Sequence, residues 1–237
     1  MSETTSARAH DPAVLLDIEG TTTPISFVHR VLFPYAAAQV RDFLAHRGTE
    51  PEVIAACRLI LADRGPEESA LSDEAAVLAI VRRQMAADVK ATGLKALQGL
   101  IWQHGYEGGT LRSELFSDVP EALSRWQAAG RPVAIYSSGS RLAQQLIFRY
   151  SNFGDLSSRI SGYFDTEVGP KRDPESYRRI AAAWGQPASA ILFCSDVPAE
   201  CGAAETAGLQ TVLILRPGNA PLPPQQPFSI HPDLSLL

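Results

Sequence analysis

The sequence predicts an α/β fold: a Rossmann-like parallel sheet covered by helices on both faces, with a helical subdomain inserted after the first strand. Three observations predict it. Short apolar runs at Val14–Ile18, Val133–Tyr136, Tyr163–Phe164, Ile191–Cys194 and Thr211–Leu215 have the form of strands buried on both faces. From about residue 115 these runs alternate with helical periodicity, which builds parallel strand-helix-strand units. Between the first two runs the spacing is helical throughout and no strand signal interrupts it.

The first run, Val14-Leu15-Leu16-Asp17-Ile18, delivers acidic residues to the carboxyl edge of the sheet before Gly20 turns the chain. Side chains alternate along an extended chain, so Asp17 and Glu19 are expected to face one small space while Ile18 packs. Pro34 is expected at the first position of a helix that Gly48 closes, and Pro51 and Gly65 bracket a second one carrying Val53, Ile54, Cys57, Ile60 and Leu61. Ser72 begins a third, with Val77, Leu78, Ile80, Val81 and Met85, that stops near Gly93; a fourth runs from about Leu94 to His104. Asp118-Val119-Pro120-Glu121 has capping-box spacing for a helix ending at Gly130. Ser137-Ser138-Gly139-Ser140 leads from the second run into a helix through Leu142, Leu146 and Ile147. Asp173-Pro174 caps a helix that ends at Gly185, and Pro198 to Gly208 forms the last one. Residues 1–24 and 110–237 are therefore expected to form the α/β core, and 25–109 a helical cap with the makings of a lid.

Composition narrows the class of function. The 237 residues are 45% hydrophobic and 20% charged, ordinary for a globular protein, and the net charge of −5 argues against a nucleic-acid groove or a polybasic membrane patch. Met1 to Pro12 is polar and lacks the apolar core of a secretory signal, which makes the cytoplasm the expected location. Cys57, Cys194 and Cys201 have neither the pairing nor the spacing of a disulfide framework or thiolate zinc site, and read as small apolar filler. Prolines 217, 221, 223, 224 and 227 mark a tail expected to run over the surface as extended chain.

The chemistry is expected where strands end, because ligands of open parallel sheets bind outside those carboxyl ends. Asp17, Ser137 and Asp196 all fall there. A carboxylate such as Asp17 attacks phosphorus when a divalent cation neutralises the charge between them, and Asp196 is placed to share that cation. Taken alone, Asp196 reads equally well as a cap before Pro198. Ser137 and Ser138 offer hydroxyls and, with Gly139, N–H groups to an anion, although an ordinary N-cap turn uses the same residues. Lys171 can set a positive charge against a phosphoryl group. Glu200, at the third helical position after Pro198, is explained by the helix dipole alone. His29, His46 and His104 lack metal-ligand spacing. Trp102, His104 and Tyr106 are candidates for the cap face, with core packing the stronger reading for Trp102.

Four stretches, Asp17-Ile18-Glu19-Gly20-Thr21-Thr22-Thr23-Pro24-Ile25, Tyr136-Ser137-Ser138-Gly139-Ser140, Gly169-Pro170-Lys171 with Glu175-Ser176-Tyr177, and Arg216-Pro217-Gly218-Asn219, occur in order over almost the whole chain. Together they resemble the haloacid dehalogenase superfamily, and within it the enolase-phosphatase family. The resemblance implies a monomeric enzyme of methionine salvage that holds one Mg²⁺. It implies enolisation of 2,3-diketo-5-methylthiopentyl-1-phosphate and then loss of its phosphate through an aspartyl-phosphate to leave an acireductone. By the same resemblance Asp17, Glu19 and Asp196 are assigned to Mg²⁺, and Ser137, Ser138 and Lys171 to the substrate, with Asp17, Glu19 and Lys171 catalytic. Glu19 stands where most phosphatases of that superfamily carry a second aspartate, and its longer reach suits proton transfer during enolisation. A magnesium-dependent phosphatase of another small phosphorylated metabolite is the main alternative. A dehalogenase fits the metal-binding acidic pair less well, and a metal-dependent phosphate-binding module without turnover would keep the loops without needing Asp17 as a nucleophile.

Overall fold

The structure, a computed structural model, describes residues 11–87, 89–223, 225 and 227–237. The polar reading of Met1 to Pro12 falls, up to residue 10, outside the described residues, as does Pro224 of the tail.

The chain forms two compact units, one comprising the chain up to Thr22, Phe116–Ser138 and Ser158–Leu237, the other Thr23–Leu115 and Gly139–Ser157. The first contains a six-stranded parallel sheet of β1 (Ala13–Leu16), β2 (Val133–Tyr136), β3 (Gly162–Phe164), β4 (Ile191–Ser195), β5 (Gln210–Ile214) and β6 (Ile230–His231), in the order β3-β2-β1-β4-β5-β6. Every residue of β1, β2 and β4 is buried, which is why these strands are continuous apolar runs rather than alternating ones. Helices α6 (Val119–Ala128), α8 (Pro174–Trp184) and α9 (Pro198–Thr206) belong to this unit. Tyr136, Tyr177, Ile180, Phe193 and Ala204 form much of its core, with the Tyr177 ring set edge-on to both Tyr136 and Phe193. As expected, Asp173 caps α8 by accepting the Glu175 N–H, and Gly185 ends it in the left-handed region.

The second unit is helical: α1 (Ile25–Phe27), α2 (Phe33–Arg47), α3 (Pro51–Ala62), α4 (Asp73–Ala86), α5 (Thr92–Glu107) and α7 (Arg141–Arg149). Helix α3 buries Val53, Ala56 and Ile60, one stripe at helical spacing. Three expectations are corrected here and in the first unit. Pro34 does not start a helix; helical backbone already runs from Ile25, with a π turn at Val28–Leu32. Proline has no N–H for the Arg30 carbonyl, and just ahead of it the Phe33 N–H reaches back five residues to Val28. Gly93 does not stop the third helix, which ends at Ala86; it lies inside α5, where a Cβ would come within 2.7 Å of the Ile60 backbone nitrogen, so its smallness serves close helix contact. Asp118 makes no side-chain cap on α6, because its carboxylate is engaged by the Arg216 guanidinium and the Leu234 N–H.

The three cysteines are free, with Cys194 and Cys201 buried and Cys57 half-buried. The proline-rich tail ends by adding β6 to the sheet beside β5, a two-residue strand too short to leave a pattern in the sequence. Among the described residues no helix is long and apolar enough to cross a membrane.

Candidate active site

Strands β1 and β4 are hydrogen-bonded neighbours, with Leu16 opposite Cys194, so whatever follows them shares one edge of the sheet. Asp17 follows β1, its own N–H still donating to the Cys194 carbonyl at 2.9 Å, and Asp196 follows β4. The strand is shorter than expected and stops at Leu16, and the turn closes when the Thr21 and Thr22 N–H groups both donate to the Ile18 carbonyl.

Asp17 is buried and fully engaged. Its Oδ1 accepts from the Ile18 N–H at 2.7 Å and pairs with Lys171 Nζ at 2.6 Å, and its Oδ2 accepts from Ser195 Oγ at 3.2 Å. Lys171 Nζ also pairs with Glu200 Oε2 at 2.6 Å, so one ammonium bridges two carboxylates. Burial alone would make this lysine easier to deprotonate, but Asp17 and Glu200 more than offset it and hold the ammonium charged. Ser195 Oγ lies 3.0 Å from Glu200 Oε2 as well, and accepts from the Val197 N–H at 3.1 Å.

The electrostatic balance of this cluster is negative. Asp17 and Glu200 share one lysine, and the excess negative charge appears in Asp196, whose carboxyl is pushed up to about 7, by burial first and then by the charges of Asp17 and Glu200. Burial and Asp17 likewise raise Glu200. Two carboxylates at neighbouring strand ends, held short of full charge compensation, fit a hard divalent cation that completes its shell with water and substrate oxygens. Among the described residues there is no cluster of three or more His, Cys, Asp or Glu side chains suited to a metal. Gly20 adds the space: at φ +74 it runs so close to Asp196 that a Cβ would sit 2.3 Å from Oδ2.

Lys171 is delivered by a loop riveted from below. The Tyr136 hydroxyl donates to the Gly169 carbonyl at 2.9 Å, Ser176 Oγ to that of Pro170 at 2.9 Å, and the Tyr177 hydroxyl to that of Lys171 at 2.7 Å. Three consecutive carbonyls thus each meet a hydroxyl. Burial keeps both phenols protonated, pushing Tyr136 up to about 12 and Tyr177 higher still, so they act as fixed donors. Tyr177→Phe is expected to cost about 1 kcal/mol of stability. Phosphate release should fall by roughly threefold to tenfold as the lysine loosens; thermal melting and initial rates on one preparation check both.

The structure therefore brings Asp17, Lys171 and Asp196 into one cluster. Glu19 is half-buried two residues beyond Asp17 on the same edge. Ser137 is buried and Ser138 half-buried just after β2, the other neighbour of β1. The Ser137 N–H is committed to the Phe164 carbonyl at 3.1 Å, and the cap of α7 is Ser140, whose Oγ faces the Ala143 N–H. The anion-binding reading of this turn thus loses the Ser137 N–H. Of the other candidates, Trp102 is buried and its indole N–H donates to the Leu32 carbonyl at 2.8 Å, as a core residue would; Tyr106 is buried against Ser113, and His104 is exposed. The sequence reading missed Glu200 and Ser195. No helical spacing links Asp196 to Glu200, because Asp196 lies ahead of the extended Val197 that precedes α9.

The family model for haloacid dehalogenase-like hydrolases matches residues 12–208 of the chain. An enolase-phosphatase E1 of Synechococcus elongatus is 52% identical over 213 residues, covering 87% of this chain and 90% of its own. A probable bifunctional methylthioribulose-1-phosphate dehydratase/enolase-phosphatase E1 of Physcomitrium patens is 50% identical over 90% of this chain and 46% of its own, longer one. The crystal structure of the UTR4 protein of Saccharomyces cerevisiae superposes with a TM-score of 0.79 at 36% identity, covering 95% of this chain and 99% of that one. The chain belongs to the enolase-phosphatase E1 family of haloacid dehalogenase-like hydrolases.

Proposed function

We propose that this chain enolises 2,3-diketo-5-methylthiopentyl-1-phosphate and then hydrolyses its phosphate ester, giving the acireductone of methionine salvage, as a magnesium-dependent phosphoric monoester hydrolase. The observation that carries this reading is the 52% identity to an enolase-phosphatase E1 over 87% of the chain. The moss relative adds chemical sense: loss of water from methylthioribulose-1-phosphate yields this diketone phosphate, and one polypeptide is named for both activities.

Asp17, Asp196 and, through side chain or backbone, Glu19 would hold the Mg²⁺; when bound, it supplies positive charge that lets a carboxylate approach an anionic phosphate. The Asp17 carboxylate attacks phosphorus, the P–O bond to the substrate breaks, and the phosphoryl group rests on Asp17 until water displaces it. Lys171, locked as an ammonium, balances charge on the phosphoryl oxygens, and Ser137 and Ser138 offer their hydroxyls to the same group. In the first half of the reaction Glu19 moves the proton that converts diketone to enol. Glu19→Gln is therefore expected to slow enolisation more than hydrolysis, and unchanged enolisation in that variant would remove the assignment. The same reading has the protein act as a cytoplasmic monomer on a small phosphorylated substrate.

The raised Asp196 gives a pH test. Its folded value near 7 lies above the unfolded value near 4, so between those limits the folded protein binds the extra proton. Metal-free stability from this group is intact below about pH 4 and is lost as pH rises toward and through 7. Mg²⁺, which selects the charged carboxylate, should restore it, and its apparent affinity should strengthen as pH climbs through the same range. Thermal midpoints against pH, with and without Mg²⁺, check this, and Asp196→Asn should flatten both effects.

The function itself is tested by adding the diketone phosphate to purified protein with Mg²⁺ and following ultraviolet absorbance and phosphate together. Enol absorbance rising before phosphate is expected. Phosphate release from an aryl phosphate with no turnover of the diketone would move the chain to a phosphatase of another metabolite.

A further inference from the structure

The motif Arg216-Pro217-Gly218-Asn219 has no part in the chemistry above, yet it returns to the loop that carries Asp17. Arg216 is buried, its side chain 4% exposed. Its Nε and Nη2 both donate to the Thr21 carbonyl, at 3.1 and 2.9 Å, while Nη1 and Nη2 donate to Asp118 Oδ1 and Oδ2 at 2.7 and 2.8 Å. The guanidinium lies 4.3 Å from the centre of the Phe116 ring. Three residues on, Asn219 Nδ2 donates to the Gly20 carbonyl at 2.9 Å and to that of Ile214 at 3.3 Å. Consecutive carbonyls of the turn after Asp17 are thus held from outside by one short segment of the tail.

The inside of the same turn is closed by the Asp17 loop itself. The Thr21 and Thr22 N–H groups converge on the Ile18 carbonyl at 3.2 and 2.9 Å, and Thr22 Oγ1 lies 3.2 Å from both the Asp17 and Ile18 carbonyls. Gly20 is the thin point between the two sides: a Cβ there would meet Asp196 Oδ2 at 2.3 Å and Asn219 Oδ1 at 3.1 Å. An arginine needed only to neutralise Asp118 would not spend two donors on one peptide oxygen, nor would an asparagine three residues later finish on the neighbouring peptide. We propose that Arg216 and Asn219 are positioning residues that fix the turn after Asp17, and through it the aim of the Asp17 carboxylate and its spacing from Asp196. This rests on Asp17 as the nucleophile. Misplacement of a reacting group by about 1 Å is enough to cost on the order of 10²-fold in rate, so a brace of this kind has leverage without touching substrate.

The test compares wild type, Asp17→Asn, Asn219→Ala, Asn219→Leu and Arg216→Lys, assayed with Mg²⁺ on an aryl phosphate and on the diketone phosphate. Amide hydrogen exchange across residues 17–23 and thermal melting are measured on the same samples. Asn219→Ala is expected to lower kcat by about tenfold with KM within about twofold, while the melting midpoint shifts by a few degrees at most. Exchange at the Thr21 and Thr22 amides should quicken while the sheet stays protected. Arg216→Lys is expected to lose more, because an ammonium cannot reproduce the fork on Asp118 and Thr21; if it fails to fold, Asn219→Ala and Asn219→Leu decide. Folded Asn219 variants with kcat within about twofold of wild type, or slowed with unchanged exchange in the loop, would overturn the proposal. Should wild type release no phosphate from either compound, the functional reading is lost, and the exchange data still decide whether these side chains fix the turn.

Discussion

Replacing Asp17 with asparagine is expected to lower phosphate release by at least about 10³-fold, on the scale seen when an enzyme loses its covalent nucleophile. The amide keeps the shape but cannot attack phosphorus, and it removes one of the two carboxylates offered to the cation. The fold should survive, because Lys171 keeps Glu200 as a partner at 2.6 Å. A second consequence follows from the charges. With the Asp17 carboxylate gone, one of the causes raising Asp196 disappears, so its carboxyl should move down from about 7 toward the ordinary range. Steady-state rates and a carboxyl titration by NMR of the metal-free variant check the two halves separately.

Replacing Lys171 with methionine is expected to act on both activity and stability. The side chain is only 10% exposed and its ammonium bridges Asp17 and Glu200, so an apolar chain leaves two buried carboxylates facing each other. Breaking a buried pair by removing one partner costs about 3 kcal/mol or more. The rate should fall by roughly 10² to 10³-fold, comparable with losing a fixed donor to a developing negative charge. Because the destabilisation comes from repulsion between acids, Lys171→Met should recover part of its melting midpoint as pH is lowered through the carboxylate range. Wild type should recover less, because its Lys171 still pairs with Asp17 and Glu200 and only the raised Asp196 and Glu200 contribute. A variant that melts like wild type and keeps its rate would mean that this ion-paired cluster is incidental.

What the sequence made legible, and what it hid, follow from the range of the forces involved. The buried strands could be read because burial on both faces leaves nothing but apolar residues between turn formers, as in Val14-Leu15-Leu16 and Ile191-Leu192-Phe193-Cys194. Once a parallel sheet is granted, Asp17 and Asp196 share its carboxyl edge, and the pairing of β1 with β4 in the structure sets their strands side by side. Glu200 was hidden because an acid three residues into a helix already has a local explanation in the helix dipole; only the 2.6 Å approach of Lys171 shows that its partner is tertiary. Asp118 failed as a cap for the opposite reason: its local role is overridden by an arginine 98 residues away in sequence. The tail of the chain was legible as a motif without a role. Arg216 and Asn219 meet backbone carbonyls nearly 200 residues upstream, at separations of 195 and 199, and no periodicity connects such positions. The π turn before Pro34 was missed because proline marks a helix start and a mid-helix ladder shift with the same letter.

The central claim is that Asp17 carries the phosphoryl group between substrate and water. Rapid acid quenching during turnover of the diketone phosphate with Mg²⁺, followed by proteolysis and mass spectrometry, tests it most directly. The account predicts a transient phosphate on the peptide bearing Asp17, formed and lost at rates consistent with kcat and absent from the Asp17→Asn protein. Phosphate released at full rate with that peptide never modified, or modified at another residue, would contradict it.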